Sequence, residues 1–526
     1  MKNKRLISIV ICLATITTFA IGCRTEQPEA HAAKTSYNVR KFGATGDGKI
    51  LDSPAINKAI DAAEAAGGGT VLIPAGTYLC GSIHLQSNIH LVIDAGATIL
   101  AAPQNMKAYD AEEDFKGPAF QDGGHTYFHN SLIWGENLTN VFITGNGMIN
   151  GTALTTGDGI EDHMDGFSNF GKAKPTAYTP PPNAWPQHLG NKAIALKLCK
   201  NVLIRDITIF KGGHFAILVT GCTDMTIDNV TVDTDRDGMD IDCCCNTMVS
   251  NCRINSPNDD GLCPKSTYAL GHPVIEDNLT IVNCQVSGFQ VGTLLDGTMK
   301  PSKNENGRIK FGTESSGGFR NCTIANCTFR DCRGLALEEV DGGIMENITI
   351  NNISMMDVPH YGIYITTGKR DRTPNLTTNS TMKNIFISNV IADNVGSPSG
   401  IQITGMPGAP IENLRLDNIH LNSEGGGTAA QADNVPKELG KGYPEPGGVM
   451  PAYGVFARHV KNLELANIST SFEKTDMRPA IICSDINGLQ IDNFKPEVAE
   501  EVAPAEFHNV SGLVIHDSPA LESKGN

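Results

Sequence analysis

A seven-residue phrase that keeps returning constrains this chain more than any other feature. It reads Asn or Asp, apolar, any, apolar, any, Asn or Asp, apolar, and it begins at Asn201, Asp224, Asn246, Asn278, Asn321, Asn347, Asn384, Asn413 and Asn462. The first steps are 23 and 22 residues, and later ones stretch to 32 and 43 where loops intrude. Alternation of apolar residues inside the phrase predicts a short strand with one buried face. Recurrence of such strands predicts a solenoid in which each coil buries its apolar face against the next. Short strands, Asn and Gly corners and the lack of helical stripes specify an all-β chain, a right-handed parallel β-helix. The corners need left-handed backbone, which Gly and Asn tolerate. That need accounts for 55 glycines in 526 residues with no Gly-X-Y period. By the same logic, the Asn-x-Ser/Thr triplets at Asn137, Asn278, Asn321, Asn326, Asn347 and Asn352 are ladder asparagines rather than glycosylation acceptors.

Ahead of the coils, Asp52–Ala66 has the pattern of a helix. Asp52 or Ser53 is placed to cap it, Pro54 suits its first turn, and Gly67–Gly69 ends it. It is expected to plug the open N-terminal end of the solenoid. Residues 1–22 start with Lys2, Lys4 and Arg5 and continue with an apolar stretch to Ile21 and Gly22. Ending before Cys23, this segment resembles a bacterial lipoprotein signal with Cys23 as the acylated residue. Residues 23–36 then form a polar tether, and 37–526 a single catalytic β-helix domain. The expectation is a monomer held on the outer membrane through lipid alone, at the periplasmic face or the cell surface. A formal net charge of −16 makes nucleic acid and anionic lipid surfaces poor partners. Apart from Cys12 and Cys23, 13 of the 15 cysteines remain, without zinc spacing, and they read as small buried hydrophobes.

Coil phase locates the chemistry. Counting eight residues from the second Asn or Asp of a phrase leads from Asp206 to His214, Asn229 to Asp237, Asn251 to Asp259, and Asn352 to His360, with Arg333 beside the equivalent place after Asn326. Neighbouring coils lie ~4.8 Å apart, so Asp237 and Asp259 can cooperate, with Asp260 and Asp240 close by. Such a cluster splits its ionisations, so that one acid keeps its proton while others lose theirs. Cleaving a glycosidic bond needs that division, a proton for the leaving oxygen and a base for water.

The opening Tyr37–Gly48 and Gly67–Leu85 resemble glycoside hydrolase family 28, the polygalacturonases and rhamnogalacturonan hydrolases. That family's Asn-Thr-Asp-Gly-x-Asp motif stands here as Asp235–Asp240, and its paired-aspartate motif as Ser256–Gly261. The resemblance implies Asp259 as general acid, Asp237 and Asp260 as the pair that positions and activates water, inversion at the anomeric carbon, and no cofactor or metal. It implies pectin as the substrate, galacturonan or rhamnogalacturonan. The family's Gly-His-Gly is missing. Arg308-Ile309-Lys310 spells its Arg-Ile-Lys but sits too early, and Arg333–Glu338 occupies the expected place, with Ala336 and Glu338 where cations belong. These departures favour a rhamnose-containing or decorated pectin. An acidic protein still needs cations for an acidic polymer, and Arg308, Lys310, Arg333, Lys369 and Arg370 are the candidates, with His214, His360 and Asp240 as further substrate contacts. Trp185, in a proline-rich loop, is a possible sugar platform. The long excursion Glu424–Gly454 is placed to wall the cleft and make it a pocket for chain ends, and so to favour exo action. Two alternatives use the same fold: a calcium-dependent pectate lyase, with the aspartates as ion ligands, and a non-catalytic polysaccharide-binding β-helix.

Overall fold

The repeated phrase forms a strand in every coil. In a computed structural model, described here over residues 36–113, 123–156, 188–304, 306–397, 400–440 and 448–522, the long strands of successive coils pair in parallel. Gly318–Arg330 pairs with Ile344–Val358, then Thr381–Val395, Ile411–Gly425 and Val455–Lys474 follow in order. Side chains repeat along the stack. Cys322, Ile348, Ile385, Leu414 and Leu463 share one inward column, and all belong to a single continuous core.

Asparagine ladders hold the corners. Asn347 Nδ2 donates to Asn321 Oδ1 at 3.1 Å, Asn384 to Asn347 at 3.1 Å, Asn413 to Asn384 at 2.9 Å and Asn462 to Asn413 at 2.9 Å. The second Asn of the phrase makes a parallel ladder from Asn283 through Asn326, Asn352 and Asn389 to Asn418. These residues sit at φ between 54° and 60°, the left-handed region that Asn tolerates. The nominal glycosylation asparagines Asn278, Asn321, Asn326, Asn347 and Asn352 are members of the ladders.

The helix Ser53–Ala65 packs Ile56, Ala59, Ile60 and Ala63 into the first coils. Its capping differs from expectation. Asp52 is the N-cap residue, but its carboxylate accepts from the backbone N–H of Thr45 at 2.7 Å and Gly46 at 3.0 Å rather than from the helix. Those two amides belong to the Gly-rich entry turn, so Asp52 ties that turn to the helix. Among the described residues the cysteines are free thiols, buried except for Cys245. Residues 1–35, with the signal, tether and Cys23, lie outside the described residues, as does Trp185. No described helix is long and apolar enough to cross a membrane.

A second, six-stranded parallel sheet carries the carboxylates. It runs from Ile83–His84 through Ser131–Glu136, Lys192–Lys197, Phe215–Thr220 and Asp237–Asp242 to Leu262–Lys265. A bridge from Leu262 to Ile309 extends the same face to Lys310–Phe311, Leu335–Glu339, Ile363–Thr367 and Ile401–Thr404.

The ladder makes a prediction about stability. Asn352 both donates to Asn326 and accepts from Asn389, at φ 55°. Asn352→Ala should lower stability by about 1–3 kcal/mol, combining left-handed strain with lost hydrogen bonds. Asn352→Gly, which keeps the backbone comfortable, should lose less. Urea unfolding midpoints compare the two.

Candidate active site

Register brings the aspartates together in a different arrangement from the one that counting predicts. Phe215 pairs with Asp237, and Met239 with Leu262, while Gly238 N donates to Asp260 O at 3.0 Å. Asp237 is therefore level with Asp260, and Arg236 with Asp259 and His214. Counting from the ladder fails by one because the corner between Asn229 and Asp237 is one residue shorter than those of its neighbours. Glycine permits the close approach. A Cβ on Gly238 would lie 2.3 Å from Gly261 O, and one on Gly261 would lie 2.6 Å from Gly307 O, so Asp-Gly steps let successive coils crowd together beside the carboxylates.

Carboxylate oxygens of Asp237, Asp259 and Asp260 all lie within 4.8 Å of one another. Their environments differ. Asp260 is buried and accepts from Arg308 Nε at 2.7 Å and Lys310 Nζ at 3.1 Å. Burial alone would raise its pKa, but Lys310, Arg308 and Lys265 outweigh it and hold this carboxyl well below the usual range. Asp237 is equally buried, and its Oδ1 has no hydrogen-bond partner. Burial first, then the charges of Asp240 and Asp259, push it well above the usual range. Asp259 lies nearer the surface, its side chain 26% exposed, with Oδ2 2.9 Å from Arg236 Nε. Three neighbouring carboxyls thus occupy three settings: ionised, proton-holding and partly open to solvent.

Asp240 stands behind them, fully buried, its Oδ2 2.9 Å from His125 Nε2 and 3.6 Å from Lys265 Nζ. Burial pushes Asp240 upward, while Lys265 and His125 oppose the shift. Lys265 also holds Glu314 at 2.9 Å, and Arg370 reaches Glu314 at 3.2 Å and pairs with Asp341. Asp240 is thus the start of a buried alternating chain and not a group open to a polymer. The triad Asp237, Asp259 and Asp260 offers oxygen donors suited to a divalent cation, and Asp237, Asp240 and Cys263 a second set. In the first set, however, protein cations already contact both Asp259 and Asp260.

Several expected substrate contacts have other settings. Arg308 and Lys310 are buried counter-ions of Asp260, and Arg370 is buried between Glu314 and Asp341. Arg370 lies just past Ile363–Thr367, and its pairing with Glu314 and Asp341 holds it away from solvent. His214 is fully buried against Phe215, ring centroids 4.2 Å apart. Arg333 and His360 precede strands two and three places beyond Leu262–Lys265, so His360 lies on the order of 14 Å along the stack from Asp259 and does not join the cluster. Lys369 is exposed on the turn after Ile363–Thr367. Lys310 pairs in register with Ala336, which confirms that Arg308–Lys310 stands one coil before Arg333–Glu338. The cations have not vanished with the shift. Glu338, fully buried, lies 3.9 Å from both Arg308 and Lys310 and helps balance them.

Sequence reasoning missed His125, Arg236, Lys265 and Glu314. His125 comes from a short excursion between coils with no repeat around it. Lys265 was legible in principle, since it pairs in register with Asp242 on the strand next to the cluster. Further along the face, Tyr364, Gln402, Thr404 and Arg458 line a cavity of about 490 Å³ walled by residues 434–440 and 448–450. Arg458 fastens that wall through the carbonyls of Pro436 and Lys437.

The raised ionisation of Asp237 has a thermodynamic consequence. Below pH ~4 the carboxyl is protonated in both folded and unfolded chains, and Asp237→Asn should leave stability nearly unchanged. As pH rises above that value, the unfolded chain ionises freely while the fold resists, so wild type loses stability relative to the variant until the folded group also ionises. Melting temperatures of the two proteins between pH 4 and pH 8 should therefore diverge, with the variant higher at neutral pH.

Comparison with known proteins agrees with this architecture. A family described as "Rhamnogalacturonase A/epimerase, pectate lyase-like" matches residues 36–263, and one described as "Right handed beta helix region" matches 192–378. A probable polygalacturonase from Vitis vinifera is 24% identical over 438 residues, covering 79% of this chain and 77% of that one. The mannuronan C5-epimerase AlgE1 from Azotobacter vinelandii is 52% identical, but over 64 residues only, 11% of this chain and 5% of the epimerase. Among solved structures, an exopolygalacturonase from Thermotoga maritima superimposes with a TM-score of 0.56 at 19% identity, covering 82% of this chain and 92% of that one. These likenesses show the right-handed parallel β-helix, and over most of its length the chain is similar to polygalacturonases.

Proposed function

We propose that the protein is an inverting glycoside hydrolase that cuts galacturonic-acid-containing bonds of pectin, in galacturonan or rhamnogalacturonan, and takes its substrate from chain ends. The observation that carries this reading is the division of labour among three converging carboxyls. Asp260 is fixed in the ionised form by Arg308 and Lys310, while the cluster around buried Asp237 retains a proton. In the reaction, Asp259, the partly exposed carboxyl, passes a proton to the leaving oxygen. That proton is the one the cluster holds, shifted from Asp237 to Asp259 within 4.8 Å. Asp237 is left as the anion that, beside Asp260, holds the attacking water and accepts its proton, and the cluster ends each turnover with one proton as it began. A base whose pKa is raised toward the working pH is the more effective acceptor. The usual separation rule links carboxylates ~5 Å apart with retention, but it presumes one group on each side of the bond. Here all three project from one face, so acid and water approach from the same stack of strands.

The cavity beside Tyr364 and Gln402 begins two to three coils from Lys310, roughly 10–14 Å at ordinary strand spacing, in line with the carboxylates. A wall there supports action at chain ends. Hydrolysis is favoured over calcium-dependent elimination because Arg236, Arg308 and Lys310 already neutralise the carboxylates that an ion would need. On this reading Asp259→Asn should lower release of reducing ends from pectic oligosaccharides by at least roughly a hundredfold, the range for lost acid catalysis, with unchanged circular dichroism. A wild-type rate in that variant contradicts the assignment. An ultraviolet-absorbing unsaturated product lost on chelation would instead establish the lyase.

The N-terminal segment supports anchoring through acylated Cys23, outside the cytoplasm. Metabolic labelling with a fatty acid should mark the wild type but not Cys23→Ala. Equal labelling of the two would remove the anchor from the account.

A further inference from the structure

Among the described residues four cations contact the aspartates of the site, and three of them are buried. The side chains of Arg308, Lys310 and Lys265 are 1%, 3% and 7% exposed, locked against Asp260, Asp240 and the buried glutamates Glu314 and Glu338. Arg236 differs. Its side chain is 26% exposed, as is that of its partner Asp259, with Nε 2.9 Å from Asp259 Oδ2 and Nη1 3.4 Å from Thr156 O. It is the one cation of this group that is both partly open to solvent and bonded to the carboxylate assigned to donate the proton. A protein of net charge −16 repels an anionic polymer at long range and must hold it through local positive groups. A guanidinium presents five donors in one plane, and can bridge two carboxylates or exchange one for another.

We infer that Arg236 is the receptor for a carboxylate of the sugar at the cleavage point, and that binding exchanges its bond to Asp259 for one to the incoming uronate. The exchange frees Asp259 to turn toward the leaving oxygen as the substrate arrives. Arg236 is thus a specificity residue that distinguishes free uronate from its methyl ester or a neutral sugar. This rests on the proposed pectin-cleaving activity and adds to it a named contact.

The test compares wild type with Arg236→Gln and Arg236→Lys. Gln keeps a donor near Asp259 without the charge, and Lys keeps the charge without the planar fork. Dissociation constants for trigalacturonate and its fully methyl-esterified form are measured by calorimetry, alongside KM and kcat for both. Loss of a charge-assisted pair should weaken the Gln variant for the free acid by roughly tenfold or more, with the ester within twofold of wild type and the Lys variant between the two. Equal weakening for acid and ester, or no weakening, overturns the role of Arg236 while leaving the hydrolase reading intact. If wild type neither binds nor cleaves either compound nor any other uronate oligosaccharide, the hydrolase reading falls and this inference with it.

Discussion

Stacking in register, coil upon coil, is the constraint on which everything else in this structure depends. Each corner asparagine satisfies two needs at once. It takes up left-handed backbone and passes a side-chain hydrogen bond to the same residue one coil away, as in the run Asn321, Asn347, Asn384, Asn413. Local conformation and long-range pairing then favour the same alignment, and loops of any length can leave between corners without disturbing it. That freedom matters for chemistry. Insertions carry His125 and the wall around residues 434–440 to the same face as the aspartates, while the strands beneath keep their spacing.

A column of aspartates at that spacing would repel itself apart if left alone. Arg308 and Lys310 on Asp260, Arg236 on Asp259, and Lys265 with His125 on Asp240 answer the repulsion group by group. Because Asp237 receives no such direct partner, burial and its neighbours drive it toward the protonated form. The asymmetry is what makes a row of identical residues into distinct acids and bases. The same counter-ions offset the negative charge that the aspartates bring to this face.

The fold was legible in the sequence because periodic features add. Nine phrases say the same thing, and none depends on a loop. The convergence of Asp237, Asp259 and Asp260 was legible for a related reason, since each lies eight or nine residues after a ladder asparagine. Their alignment was less so. A corner shorter by one residue after Asn229 moved Asp237 level with Asp260 and put Arg236 beside Asp259, and no count from the ladder detects a change within the corner. The basic residues were harder again. Arg308, Lys310 and Arg370 read as open clamps because sequence shows charge but not which way the backbone turns it. His125 had no periodic mark at all, and its meeting with Asp240, 115 residues later, exists only in three dimensions.

The claim at the centre of this account is that three carboxyls on one face add water across a pectic bond and invert it. Proton NMR of trigalacturonate in the first minutes after mixing with the enzyme observes that event directly, before mutarotation erases it. The account predicts saturated new reducing ends whose anomeric configuration is opposite to that of the bond that was cut. New reducing ends of the original configuration, or olefinic protons in their place, would contradict it.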